Sequence, residues 1–84
     1  LNNVKVDRSF IRGLPHDAGN LAIVRAILSM ADSLGFSVTA EGVETDEQAQ
    51  VLTALRCDLL QGYLIGRAIP SDQLPHEEER RNVA

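Results

Sequence analysis

The stretch that decides the fold is FSVTAEGVETDEQ, which runs from Phe36 to Gln48. Its first five residues form a short run of mostly apolar, β-favouring side chains, which is typical of a strand. Thr45 and Gln48 then form the capping-box pattern that marks the start of a helix. Two acids, Glu41 and Glu44, flank a Gly-Val pair between these elements. The stretch therefore predicts a strand, a polar loop and a helix in direct succession.

Upstream of this stretch, the sequence predicts one more strand and one more helix. Valines alternate with polar residues from Val4 to Asp7, which is the period of a strand. From Asn20 to Leu34, apolar residues recur at spacings of three and four, which is the period of an amphipathic helix. We expect Asp17 or Asn20 to cap this helix and Gly35 to end it.

Downstream, LLQGYLI from Leu59 to Ile65 predicts a third strand, in which Gly62 marks a bulge or a close backbone approach. Strands that alternate with helices indicate an α/β fold with a parallel sheet. Two helices cannot cover both faces of such a sheet. We therefore expect either part of a larger α/β domain or a chain that completes itself as a homo-oligomer. Residues 75–84 are expected to form a charged, solvated tail.

Composition excludes several classes of protein. The 84 residues are 44% hydrophobic and 24% charged, as in globular proteins, and the net charge of -4 argues against binding a DNA or RNA polymer. No apolar run approaches the roughly 20 residues that span a bilayer, so we expect no membrane contact by this segment. The single cysteine, Cys57, favours a buried thiol in the reducing cytoplasm. A parent protein could still be anchored to a membrane by other domains.

Polar residues at the strand ends are the candidate functional residues. Lys5 and Asp7 belong to the first predicted strand, Glu41 follows the second, and Gln61 lies in the third. Parallel strands present their carboxyl ends at one edge, where α/β folds bind ligands. A solvent-facing edge strand would explain Lys5 and Asp7 equally simply, and the residue types alone favour that interpretation. Glu44 could merely stabilise the following helix through its dipole.

Three motifs, VKVDRSFI, VTAEGVET and LLQGYLIGRAIP, resemble the carboxyl-terminal third of EAL-type cyclic di-GMP phosphodiesterases. The resemblance covers residues 1–74 and implies an incomplete TIM-like (β/α) barrel, with three parallel strands and two main helices in this chain. It also implies hydrolysis of cyclic di-GMP to linear pGpG, a reaction of bacterial second-messenger signalling. The cofactor implied is Mg²⁺ or Mn²⁺, hard cations that carboxylate oxygens bind.

The resemblance assigns roles residue by residue. Lys5 matches the family lysine that contacts the attacking water or the scissile phosphate. Glu41 matches the acid of AEGVE that binds a metal ion, and Gln61 matches the glutamine that positions water and metal. Glu44 and Asp7 match supporting residues around that centre. Arg67, in LIGRAIP, keeps the positive charge of the family's LFSKP and is assigned to substrate binding.

Most metal ligands of the family precede the region that this chain matches. One carboxylate and one amide cannot assemble a two-metal site, so the chain alone is predicted to be inactive. Two alternatives stay open at this point. The first is a degenerate, noncatalytic EAL-like domain that senses the nucleotide or binds a protein partner. The second is an assembly module whose open strand edges pair with copies of itself.

Overall fold

The protein is seen here in a computed structural model that describes residues 2–62 and 68–73. The predicted order of strand, helix, strand, helix, strand is confirmed, with two additions: the short helix α1 and the strand β4. A 3-10 helix, Ser71–Gln73, ends the described part. The elements in chain order are β1 (Asn3–Val6), α1 (Arg8–Ile11), α2 (Ala18–Leu34), β2 (Ser37–Ala40), α3 (Asp46–Ala54), β3 (Leu59–Leu60) and β4 (Ile69–Pro70).

The four strands form one sheet in the order β1-β2-β3-β4. β1 pairs with β2 in parallel, and β2 pairs with β3 in parallel. Each parallel pair needs a crossover connection, which α2 and α3 provide. β4 runs antiparallel to β3. The predicted third strand is shorter than expected: β3 ends at Leu60, so Gln61 and Gly62 follow the strand instead of lying within it. The rest of the predicted range, residues 63–65, lies outside the described residues.

One face of the sheet is apolar and carries the core. Val6, Val38 and Leu60 are each at most 3% exposed. Because side chains alternate along a strand, this face is separate from the one that holds the polar residues. α2 contributes Val24 and Leu28 to the same core cluster. The helices thus cover one face of the sheet and leave the other face polar.

Both main helices begin at residues that the sequence indicated, and α2 also ends where the sequence indicated. Asp17 caps α2 by accepting a hydrogen bond from the backbone N–H of Asn20 at 3.0 Å, which decides between the two predicted caps. Gly35, with a φ of 73°, terminates that helix. α3 begins with the predicted capping box between Thr45 and Gln48. None of the helices in the described ranges is both long and apolar enough to cross a membrane.

The position of Asp7 differs from the prediction. It does not share a strand face with Lys5, because β1 ends at Val6 and Asp7 caps α1. Its carboxylate accepts a hydrogen bond from the backbone N–H of Ser9 at 2.9 Å. An aspartate that can bond to the backbone two residues on competes with strand pairing and favours a helix start. A helix of four residues has too few turns to produce a periodic pattern.

A buried residue of α3, Leu52, allows a direct test of the core packing. Leu52 is 0% exposed, whereas Gln50 on the same helix is exposed. We expect Leu52→Ala to lower the free energy of unfolding by about 2–5 kcal/mol, because it leaves a cavity in a close-packed core. Gln50→Ala, the control, should change it by less than about 0.5 kcal/mol. Urea unfolding followed by circular dichroism measures both; equal effects would contradict the burial of Leu52.

Candidate active-site rim

Three of the predicted site residues lie on one face of the sheet, near the carboxyl ends of the parallel strands. Lys5 and Leu59 both pair with Thr39, one from each side. Paired residues of parallel strands point to the same face, and so do residues two positions apart. Glu41 and Gln61, two residues beyond Thr39 and Leu59, therefore share the face of Lys5. We call Lys5, Glu41 and Gln61 the polar rim.

Backbone hydrogen bonds continue the sheet beyond the ends of β2 and β3 and hold this rim in place. The N–H of Glu41 donates to the carbonyl of Val6 at 3.0 Å, and the N–H of Gln61 donates to the carbonyl of Ala40 at 2.9 Å. The N–H of Val43 in turn donates a hydrogen bond to the carbonyl of Gln61 at 2.9 Å. Glu41 is thereby fixed between the segments that follow β1 and β3.

The side chains of the rim differ from the polar side chains nearer the amino ends of the strands on the same face. Asn3 donates to the hydroxyl of Ser37 at 2.8 Å and accepts from the hydroxyl of Thr39 at 3.1 Å. Within residues 2–62 and 68–73, by contrast, no side-chain hydrogen bond or ion pair engages the three rim residues. Lys5 is exposed and Glu41 and Gln61 are half-buried, so their polar groups are open to solvent and available to a ligand.

The other predicted site residues lie around the rim rather than on it. Glu44 is exposed on the loop before α3, and its backbone N–H donates to the side chain of Gln48 at 2.7 Å. Asp7 caps α1, as described above. Arg67 lies outside the described residues. The roles of all these residues therefore stay predictions.

Two glycines allow the backbone to approach closely beside the rim. Gly42, directly after Glu41, has a φ of 75°, and a Cβ there would overlap the Cβ of Arg8. A Cβ at Gly62 would overlap the backbone of Val43. Close approach was predicted for Gly62 and is confirmed. A larger side chain at Gly42 would push the Glu41 loop away from α1, and one at Gly62 would push apart the segments that follow β2 and β3.

The electrostatics at the start of α1 favour a charged Asp7. Its pKa is lowered, first by the hydrogen bond from the Ser9 backbone N–H and next by the Ser9 side chain. Desolvation opposes these bonds by raising the pKa, and the guanidinium groups of Arg8 and Arg12 lower it by less than the Ser9 bonds do. Hydrogen bonds to the charged form stabilise it, which is the usual effect of an N-cap carboxylate.

The rim fits part of a metal site but not a whole one. Mg²⁺ and Mn²⁺ require about six oxygen ligands, mostly carboxylates and waters. Glu41 offers one carboxylate and Gln61 one amide oxygen. In the part of the chain that the structure describes, no group of three or more His, Cys, Asp or Glu side chains is placed to hold a metal ion. Glu41 could therefore be one ligand among others supplied from elsewhere.

A cavity of about 240 Å³ lies away from the rim, between α2 and the end of α3. Phe36 and Val38, at the amino end of β2, form part of its wall. Its charged groups are mixed in sign, with two arginines and two aspartates, and none of the rim residues lines it. The cavity is therefore separate from the polar rim, which lies at the opposite end of β2.

Sequence reasoning assigned one buried polar residue an incomplete role. Gln48 is 5% exposed and completes the capping box as predicted. Its side-chain nitrogen also donates to the backbone carbonyl of Arg12 at 3.2 Å. The two residues are 36 positions apart in sequence. No local pattern signals such a contact, because it depends on the packing of α1 against the loop before α3.

Comparison with known proteins identifies the family of this arrangement. A family model described as "EAL domain" matches residues 1–68. The bifunctional diguanylate cyclase/cyclic di-GMP phosphodiesterase MucR of Pseudomonas aeruginosa is 47% identical over 73 residues, which are 87% of this chain and 11% of MucR. The cyclic di-GMP phosphodiesterase NbdA of the same organism is 46% identical over 70 residues, 83% of this chain and 9% of NbdA.

Solved structures share the fold as well as the sequence. The PaMucR phosphodiesterase, solved as a c-di-GMP complex, has a TM-score of 0.74 at 46% identity, covering 88% of this chain and 30% of the other. The EAL domain of Mycobacterium smegmatis DcpA has a TM-score of 0.74 at 34% identity, covering 96% and 34%. The chain thus spans about a third of these structures and about a tenth of the curated relatives.

The lowered pKa of Asp7 predicts a pH dependence of stability. A carboxyl group whose pKa is lower in the folded than in the unfolded state stabilises the fold above its unfolded pKa, here about 3.8. This contribution is lost as the pH falls through the lower pKa that the group has in the folded state. Asp7→Asn keeps a capping oxygen without the charge. We expect the variant to melt below the wild type at neutral pH and to converge with it below pH 3.8. Thermal melts across pH test this; a constant difference would contradict it.

The close approach at Gly62 predicts a second effect on stability. Gly62→Ala places a methyl group against the backbone of Val43, which cannot move without disturbing the bonds between β2 and β3. We expect a loss of about 1–3 kcal/mol in the free energy of unfolding, as for other overpacked sites. Urea unfolding measures the change. An unaltered midpoint would show that the two segments are further apart than described.

Proposed function

This chain belongs to the EAL domain family, and from that premise we propose that it is the carboxyl-terminal part of a metal-dependent phosphodiesterase domain. The substrate proposed is cyclic di-GMP and the product linear pGpG. The observation that supports this most directly is the polar rim: Lys5, Glu41 and Gln61 share one face and one edge of the sheet. MucR, described as a bifunctional cyclase and phosphodiesterase, is 47% identical.

Glu41 is proposed as a ligand of a divalent cation, Mg²⁺ or Mn²⁺. Its carboxylate follows β2 directly and has no partner within the described residues, so it is available to a cation. When bound, such a cation would polarise the phosphodiester and make hydroxide available near neutral pH. The remaining oxygen ligands would come from strands that precede β1 in a complete barrel. Residues 1–84 alone are therefore expected to lack hydrolytic activity.

Lys5 and Gln61 are proposed to act on the phosphate and on the attacking water. An ammonium group on the same face as Glu41 adds positive charge where negative charge develops in phosphoryl transfer, and so stabilises the transition state. The amide of Gln61 can both donate and accept a hydrogen bond, which suits it to orient a water. Asp7 and Glu44 would support the rim from α1 and the α3 loop, and Arg67 would contact the substrate.

The domain boundaries follow from the same proposal. Residues 1–74 are assigned to the EAL domain and residues 75–84 to a charged tail. The family match ends at residue 68, which is six residues before the proposed boundary. Cyclic di-GMP is a second messenger inside bacterial cells, so we propose that the domain works in the cytoplasm. Any sensory or cyclase domain would lie outside these 84 residues.

Replacement of Glu41 tests the proposed function. In the complete domain that contains this chain, we expect Glu41→Gln to lower kcat for cyclic di-GMP by more than about 100-fold, beyond the usual cost of losing an outer partner of a metal site. The fold should persist, because the backbone bonds of Glu41 do not need its charge. Glu47→Gln is the matched control, since Glu47 is exposed on α3 and pairs with the exposed His16 at 3.5 Å rather than with any rim residue of the described ranges. Product formation and thermal melting measure the two properties.

The outcomes separate the candidate functions. Full activity of Glu41→Gln would overturn the assignment of Glu41 as a metal ligand. A wild-type domain that binds cyclic di-GMP tightly but forms no pGpG would instead favour the noncatalytic nucleotide sensor. A domain that neither binds nor hydrolyses the nucleotide would leave the protein-interaction interpretation.

A further inference from the structure

The side chain of Gln48 makes more hydrogen bonds than a helix cap needs. Its Oε1 accepts from the backbone N–H of Thr45 at 3.1 Å, which is the capping-box bond, and also from the N–H of Glu44 at 2.7 Å. Its Nε2 donates to the carbonyl of Arg12 at 3.2 Å. The residue is 5% exposed, so these bonds replace contacts with water. A buried amide of this kind is costly unless all its bonds are made.

The amide group supplies both the donor and the acceptor that this position requires at neutral pH. Two backbone N–H groups face one end and require an acceptor, while a carbonyl faces the other end and requires a donor. An ionised carboxylate could accept from Glu44 and Thr45 but could not donate to Arg12. A hydrocarbon could do neither. The contact to Arg12 is therefore specific to the glutamine.

These bonds close a ring that contains the candidate metal ligand. The ring runs from β1 through α1 to Arg12, across to Gln48, and back along the loop before α3 to Glu41. The N–H of Glu41 then donates to Val6 at 3.0 Å, at the end of β1, where the ring began. Gly42 adds a second contact, because its backbone packs directly against Arg8. The loop of residues 41–45 is thus fixed at both ends and in the middle.

We propose that Gln48 is a positioning residue that holds the 41–45 loop against α1 and so sets where Glu41 and Glu44 lie relative to Lys5. The effect on turnover rests on the proposed function, whereas the effect on the loop does not. An exposed pair, His16 and Glu47, joins the turn after α1 to the first turn of α3 at 3.5 Å. Being open to solvent, that pair contributes little and cannot replace the buried amide.

The test compares Gln48→Glu with Gln50→Glu in the complete domain. Both variants add one negative charge to α3, but Gln50 is exposed and lies outside the ring. Relative to the control, we expect Gln48→Glu to lower kcat for cyclic di-GMP by at least about ten-fold near pH 9, because misplaced catalytic groups slow the chemical step. KM should stay within about two-fold, since the change acts on positioning rather than on uniform binding.

The pH profile distinguishes positioning from general destabilisation. A protonated carboxyl group has the donor and acceptor of an amide, and burial at this 5%-exposed position raises the pKa of a carboxyl group above its ordinary value of about 4.3. The kcat of Gln48→Glu should therefore recover towards that of Gln50→Glu as the pH falls. A kcat ratio near one at all pH values would overturn the proposal. So would a deficit that follows only the loss of folded protein in a thermal melt.

Backbone amide hydrogen exchange tests whether Gln48 fixes the 41–45 loop, and it does not require that the domain be enzymatically active. In Gln48→Glu near pH 9, the amides of Glu41 and Val43, which bond outside the loop to Val6 and Gln61, should exchange at least about ten-fold faster than in Gln50→Glu, while those of β1 and β2 stay unchanged. Equal exchange would overturn the role of Gln48. If the wild-type domain hydrolyses nothing, the proposed function fails, yet this comparison still shows whether Gln48 fixes the loop.

Discussion

The parallel register between β1 and β2 is the constraint on which the rest of the structure depends. Lys5 pairs with Thr39 and Val6 pairs with Ala40. The polar side chains of both strands therefore lie on one face of the sheet and the apolar side chains on the other. Because the side-chain period is two, a slip by one residue would exchange the faces. The buried valines would then meet the polar side, and Glu41 would face the helices. The register therefore places both the core and the candidate site.

The register is held by several interactions beyond the strand ladder. Asn3 bonds across to Ser37 and Thr39 on the polar face. The Asp58 carboxylate accepts a hydrogen bond from the N–H of Val38 at 2.8 Å, which ties the segment before β3 to β2. Cys57 is 1% exposed beside it, and burial raises the pKa of its thiol to about 11. A thiol in that state packs as a small apolar group and not as a nucleophile.

The sequence predicted those parts of the fold whose signals are local. The period of α2, its Asp17 cap, and the capping box of α3 all depend on residues within a few positions of one another. Four-residue α1 and two-residue β4 are too short for any period to be visible. Asp7 continued the alternation of β1 in sequence, but its bond to Ser9 outweighed strand pairing there. The register of β1 with β2 is a long-range property that only the folded chain determines.

The residues of the candidate site also differ in whether local sequence patterns or long-range contacts determine them. Strand ends can be predicted from periodicity, so Lys5, Glu41 and Gln61 could be assigned to one edge before the fold was known. The hydrogen bond from Gln48 to Arg12 could not be predicted, because it joins two segments that are distant in sequence.

The difference between predictable and unpredictable site residues has a physical cause. Groups that bind a ligand must remain available at a strand end, whereas groups that position them are satisfied by partners within the protein. On the polar face, Asn3 and Thr39 are paired, while the rim residues beyond them are not paired within the described chain. The boundary between paired and available polar groups thus marks where structural stabilisation ends and ligand chemistry can begin.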